Sequence, residues 1–334
     1  MSHYHLYAIG NALVDTEYEV SDELLSAMGV SKRHMTLIDP PQRAQLLTHV
    51  QGLHARRTGG GSAGNTVVAL AQLGGKAFYS CRVADDELGH FYTQDLLANG
   101  VATNLTHTRP SAGQTGSCMV LVTPDAERSM CTFLGATSQL DSSALHPQDI
   151  AKSQIYYMEG YLAASPTGLQ AAVEGRRIAV AHQVATALTL SDVSMINFCK
   201  AGLEAMIGDG LDYLFANEEE AQTWCASTDL DTLIAQLAPL AKTVCLTRGP
   251  QGCIVVQGGQ RTEVPAVPTQ AVDTNGAGDM FAGTFLFGIT HGLTPAQSAA
   301  LANRTAAAVV SQHGNRLTAQ QMQAMHASFR HQAS

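Results

Sequence analysis

No run of lysine or arginine occurs anywhere in the chain, and acids outnumber bases by 28 to 19. The formal charge of −9 argues against a nucleic-acid or anionic-membrane partner. An anionic ligand must then be held by local amides, a few cations and a metal. Only 14% of the 334 residues are charged against 45% hydrophobic, so a large core can be buried. The seven cysteines are odd in number and form no Cys-x-x-Cys pair, which points to free thiols in a reducing cytoplasm rather than disulfides or zinc. No His-Glu-x-x-His occurs, and His3 with His5 has no matching pair, so structural or solvated imidazoles are expected. No apolar run is long enough to span a bilayer, and Met1–Tyr7 lacks the basic and apolar regions of a secretion signal. The expectation is a soluble cytoplasmic protein with no membrane or nucleic-acid partner.

What is present is a regular alternation. Leu6–Asp15 reads as a buried strand breaking at Gly10, followed by a half-exposed strand around Glu17–Val20. Helical patterns follow near Pro41–Val50 and Gly64–Leu73, then a core strand at Ala77–Val83 and a helix at Leu88–Asn99 ended by Gly100. Cys118–Val122 and Ser129–Phe133 flank Pro124-Asp125-Ala126-Glu127 as a hairpin. Five short apolar strands follow at Ile155–Met158, Thr186–Leu190, Tyr213–Ala216, Thr243–Leu246 and Cys253–Val256, most of them separated by helical segments. That is the pattern of a mostly parallel, doubly wound α/β sheet covered on both faces. Two helices are expected to close the chain, the second starting at Thr294-Pro295. Nothing marks a linker, so one domain over residues 1–334 with a small β excursion is the reading.

The densest chemistry lies in Asp273-Thr274-Asn275-Gly276-Ala277-Gly278-Asp279. The small residues Gly276, Ala277 and Gly278 permit a tight turn whose N–H groups point at one spot. The apolar run Met280–Leu286 reads as a buried helix that puts those amides at its positive end, a place for an anion. Asp279 in the first turn is held as a carboxylate, the form a general base needs. Gly59-Gly60-Gly61-Ser62-Ala63-Gly64-Asn65 matches Gly-x-Gly-x-x-Gly, but His54–Thr58 is no buried strand and no Gly-Lys-Ser/Thr follows. Neither a dinucleotide fingerprint nor a Walker loop is therefore read there. The glycines instead bring backbone close to a small polar ligand, with Asn65 offering a donor and an acceptor.

The segment 273–279 resembles the C-terminal signature of the ribokinase-like (phosphofructokinase B) family of sugar and nucleoside kinases. Asn275 and Gly10-Asn11-Ala12-Leu13-Val14-Asp15 look like its adenosine kinase branch. The segment through Gly74-Gly75-Lys76 and Gly89 resembles the family's N-terminal signature, and the resemblance covers nearly the whole chain. It implies a ribokinase-like fold with a small β lid from residues around 12–40 and 110–137. It also implies Asp279 as base, with the amides of Gly276, Ala277 and Gly278 on the transferring phosphate. Asn11, Asp15, Gly60, Gly61 and Asn65 would bind the acceptor, with Asp15 gripping a ribose. ATP would be held by Arg128, Asn217, Thr247, Gly249 and Asn303, and Mg²⁺ approached through water by Glu220. Asp273 with the Gln312-His313-Gly314 turn would frame a site for a monovalent cation such as K⁺. The acceptor is expected to be a nucleoside, adenosine first. A ribose, fructose or keto-sugar acid is the alternative, because Gly61–Asn65 is closer to the sugar-kinase pattern. A regulator that binds nucleotide or sugar without catalysis stays open, as do a monomer and a lid-mediated homodimer.

Overall fold

The computed structural model describes residues 3–333 apart from 33 and 126, with side chains as far as Phe329. Met1 and Ser2 of the N-terminal segment, and Ala126 of the expected hairpin, lie outside the described residues. In chain order the first strands are β1 (Tyr4–Ile9), β2 (Leu13–Glu19), β3 (Met35–Leu37), β4 (Ala55–Gly60), β5 (Ala77–Ser80), β6 (Val101–Thr103) and β7 (Ser117–Val122). They are followed by β8 (Arg128–Phe133), β9 (Ser153–Glu159), β10 (Ala185–Thr189), β11 (Leu211–Asn217), β12 (Ala241–Thr247), β13 (Cys253–Gln257) and β14 (Gln260–Val264). Nine form one sheet in the order β14-β13-β12-β11-β10-β9-β1-β5-β6, parallel from β6 to β12 and antiparallel at β13 and β14.

The central strand shows why its sequence is continuously apolar. Leu6 and Ala8 join the core on one face of the sheet, while Tyr7 and Ile9 join the core on the other. The first of these cores holds the helices Ser62–Gln72 and Ala277–Thr290, which pack on each other. Their backbones approach so closely that a Cβ at Gly283 would collide with the Thr66 carbonyl. Asp279 meets Ser62 and Asn65 one turn earlier, so the two helices start side by side.

The remaining strands form a second sheet in the order β3-β8-β7-β2-β4. Chain passes from the large sheet to the small one at Gly10–Ala12, between β1 and β2. One face of the small sheet packs Met119, Leu121 and Cys131 against Leu25 and Leu46 of the helices Asp22–Ala27 and Pro40–His49, and against Met28, which caps the first of them. Asp15, Glu17 and Arg128 occupy the other face, which lies over the loop before Ala277.

Several elements differ from expectation. Ala55–Gly60 is a strand after all, but an edge strand with Arg56 and Arg57 exposed, so it carries no burial pattern. The exposed edge strands β3 and β14 escape the sequence for the same reason. The chain ends in three helices rather than two: after Ala277–Thr290 and Pro295–Val310 comes Ala319–Ala333. Thr294 does cap its helix, in a capping box with Gln297 and with Pro295 at the first turn.

Candidate active site

The Ala277–Thr290 helix begins at Gly276, whose left-handed φ of 76° lets the chain turn inward and whose missing side chain leaves the helix without a cap. A Cβ there would collide with the Asn315 carbonyl. Asn275 N–H is used by Asp273 Oδ1 at 3.0 Å, and Ala277 N–H reaches Thr274 O at 3.3 Å. The N–H groups of Gly276, Gly278 and Asp279 have no partner among the described residues, and around Gly278 a Cβ would meet nothing within 4 Å. The start of the helix is thus an open cradle of donors.

Asp279 stands in that first turn. Ser62 Oγ donates to its Oδ1 at 2.6 Å and Asn65 Nδ2 to its Oδ2 at 2.9 Å. Burial pushes its carboxyl above the ordinary range, and the bonds from Ser62 and Asn65, with the charge of Arg316, pull it back. A carboxyl lifted in this way is a better proton acceptor than an exposed aspartate. The glycine loop before Ser62 also turns through a left-handed residue, Gly61 at φ 82°, where a Cβ would strike the Asn11 carbonyl. Beneath it lies Glu159, fully buried at the end of β9. Its oxygens accept from Asn11 N at 2.8 Å and Ala63 N at 2.7 Å, joining the two loops. Burial drives Glu159 to about 7 against those bonds. Gly60 leaves room for the Asp15 carboxyl, and Tyr92 donates to its carbonyl at 3.0 Å.

Asp15 on β2 accepts from Asn315 Nδ2 at 2.8 Å, and burial, opposed by Arg316 and Arg128, raises it to about 7. Arg128 bonds Glu17 on its own sheet and Asp273 on the loop, so its guanidinium ties the small sheet to the 273–279 segment. Asp273 is buried and also accepts from Gly314 N at 3.0 Å. Asp273 and the 312–314 turn do come together, but an arginine serves the carboxylate. A cavity of about 20 Å³ opens between Asp15, Glu17, Arg128, Asn275 and Asn315.

The remaining expected residues sit along the C-terminal ends of the strands. Asn217 and Thr247 are register partners at the ends of β11 and β12. Asn217 and Glu220 form a capping box, with Asn217 Nδ2 donating to Glu220 Oε1 at 2.7 Å and Asn217 Oδ1 accepting from Glu220 N at 2.8 Å. Burial raises Glu220 to about 7, and Asp192, Glu219 and Asp279 add to the rise. Thr247 Oγ1 touches Ala216 O at 3.5 Å, and Gly249 takes a left-handed φ of 53° in the exposed turn after β12. Asn303 is buried, with its amide spent on the carbonyls of Val264 at 3.1 Å and Pro265 at 2.9 Å. It pins the chain leaving β14 rather than presenting a free edge.

Ser62, Glu159, Asn315 and Arg316 were not legible as site residues. Their partners lie 96 to 300 residues away in the chain, beyond any local pattern. A larger cavity, about 70 Å³, lies elsewhere against Arg82, His90 and Arg109 and includes none of the residues above. Among the described residues no group of three His, Cys, Asp or Glu is arranged to hold a metal, and no helix is long and apolar enough to cross a membrane.

A carboxylate beside an open helix start, at the strand ends of a doubly wound sheet, defines an enzyme that moves a phosphoryl group onto an alcohol. Residues 33–322 match the pfkB family carbohydrate kinase model, and the chain belongs to that family. It is 38% identical to the adenosine kinase of Sinorhizobium meliloti, with 99% of each chain covered and a TM-score of 0.86. A probable sugar kinase of Rhizobium etli CFN 42 aligns at 34% identity over 98% of this chain and 100% of that one, with a TM-score of 0.88. The adenosine kinase of Schizophyllum commune is 28% identical over 87% of this chain and 90% of its own. The ribokinase-like fold and an ATP-dependent kinase acting on a hydroxyl follow from this family membership.

Proposed function

We propose that the chain transfers the γ-phosphoryl group of ATP to a primary hydroxyl of a nucleoside, adenosine first. The observation that carries this reading is the Asp279 carboxylate, aimed by Ser62 and Asn65 beside unbonded helix-start amides. Asp279 takes the hydroxyl proton as that oxygen bonds to the γ-phosphorus. The bond from phosphorus to the β-bridging oxygen breaks, and ADP leaves with its electron pair. Of the expected donors, the amides of Gly276 and Gly278 hold the equatorial oxygens, joined by that of Asp279, whereas Ala277 N–H is turned back to Thr274 O. Asp15, Asn11, Asn65 and the loop of Gly60 and Gly61 hold the acceptor, and ATP runs along the strand ends past Asn217, Thr247 and Gly249. The small sheet acts as a lid that excludes water. A magnesium ion accompanying ATP would neutralise phosphate charge; Glu220, its oxygens occupied by Asn217, fits only a water-mediated role toward it. A monovalent cation beside Asp273 and the 312–314 turn would share that carboxylate with Arg128, and dependence of activity on potassium tests it.

The identity to a probable sugar kinase supports ribose, fructose or a keto-sugar acid as the second reading. Turnover of ATP with adenosine, inosine, ribose and fructose side by side decides between them. Adenosine is expected to give the highest kcat/KM, and a clear preference for a free sugar overturns the first choice. Replacing Asp279 by Asn is expected to lower kcat by about 10²–10⁴ while nucleotide binding persists. Full turnover by that variant defeats the base assignment.

A further inference from the structure

Arg316 lies in the connection between the last two helices, with its side chain only 10% exposed. Its Nη1 donates to Asp95 Oδ2 at 2.6 Å and its Nε to Asn65 Oδ1 at 2.8 Å. Gly59 makes room for this pair, and Gly64 makes room for the neighbouring Tyr92 hydroxyl. A Cβ on Gly59 would collide with Asp95 and stand 2.9 Å from Arg316 Nη1, and one on Gly64 would collide with Tyr92 beside Arg316 Nη2. Gly59 therefore serves an internal ion pair, not a ligand.

A guanidinium has donors only. The Asn65 amide must turn its oxygen toward Arg316, and so it turns its Nδ2 toward Asp279, 2.9 Å away. We infer that Arg316 is a positioning residue for the proton transfer, fixing the Asn65 amide so that a donor, never an acceptor, faces the base. This rests on the reading of Asp279 as base. The groups bearing on Asp279 from neighbouring elements are Asp15 on β2, Tyr157 and Glu159 on β9, Tyr161 just beyond, Glu220 on the Glu218–Cys225 helix, and Arg316. Arg316 is the cation in that set. Without it the amide is free to turn its oxygen to Asp279, and the attraction of the guanidinium is lost as well. Both changes favour the protonated, idle carboxyl.

The test is the pH dependence of kcat and kcat/KM for the intact protein with ATP and whichever of adenosine, inosine, ribose and fructose turns over fastest. Arg316→Gln is expected to move the acid limb upward, on the order of one pH unit, so that the loss is greatest at low pH and shrinks as pH rises. Arg316→Lys keeps the charge but cannot reach Asp95 and Asn65 together. Its acid limb is expected between those of the parent and Arg316→Gln, with kcat at least about tenfold lower. A loss by Arg316→Gln equal at every pH, or a change in KM alone, overturns the proposal. If that variant does not fold, unchanged kcat in Arg316→Lys overturns it equally. Asp279→Asn is run beside them: if it keeps full turnover, the base reading itself fails. If it is inactive while both Arg316 variants behave as the parent does, only the positioning role is lost.

Discussion

Gly276 and Gly278 stand two residues apart in one turn and face opposite constraints. Alanine at Gly276 must hold a left-handed φ and collide with the Asn315 carbonyl, a change expected to cost more than about 1 kcal/mol of stability together with activity. Alanine at Gly278 meets open space and gains roughly 1 kcal/mol in helix propensity, so Tm should hold or rise. Its methyl group nevertheless crowds the donor cradle, and KM for ATP is expected to increase. Thermal melts beside steady-state kinetics separate the two; a fall in Tm for Gly278→Ala contradicts the open geometry. At this scale the sequence was most informative where chemistry is contiguous. The turn of 273–279 announces both its acid and its amides within seven residues. Arg128 was legible as a cation of interest, but its engagement with Asp273 and Glu17 was not, since those partners come from two other segments.

Among elements, the turn after β1 and the start of the Ser62–Gln72 helix share one anchor, the Glu159 carboxyl. Glutamine there keeps one acceptor and points a donor at the other buried N–H. The unmade bond is expected to cost about 1–3 kcal/mol and to raise KM for the acceptor more than it lowers kcat. Unchanged Tm and KM would show that the loops hold without it. The parallel strands were readable because burial on both faces makes them continuous apolar runs. The edges β3, β4 and β14 were not, because β3 and nearly all of β14 are exposed, β4 is exposed at Arg56 and Arg57, and no alternation marks them. The final helix, Ala319–Ala333, carries only three large apolar residues, Met322, Met325 and Phe329, among glutamines and histidines, so its helical spacing is a weak signal.

For the whole molecule, three carboxyls dominate the dependence of stability on pH. Asp15, Glu159 and Glu220 are each raised to about 7 in the native protein, from ordinary values near 4. Between those limits the folded chain binds more protons than the unfolded one, so stability falls as pH rises through the window, and the full penalty stands above pH 7. Asp86 and Asp141, held below their ordinary values, act the other way and lose their contribution only in stronger acid. Tm is therefore expected to be higher at pH 5.5 than at pH 8. Asp15→Asn, which keeps an acceptor for Asn315, is expected to flatten that slope, and a melt series with equal slopes would refute the account.

The contact of Gly283 with the Thr66 carbonyl bears on how relatives of this chain diverge. It clamps Asp279, the proposed base, and the donor cradle into a single unit inside the main core, while Asp15, the proposed acceptor contact, stands on a separate layer. On the proposed roles, replacing side chains on the outer layer is expected to retune which alcohol is accepted without disturbing the machinery that phosphorylates it.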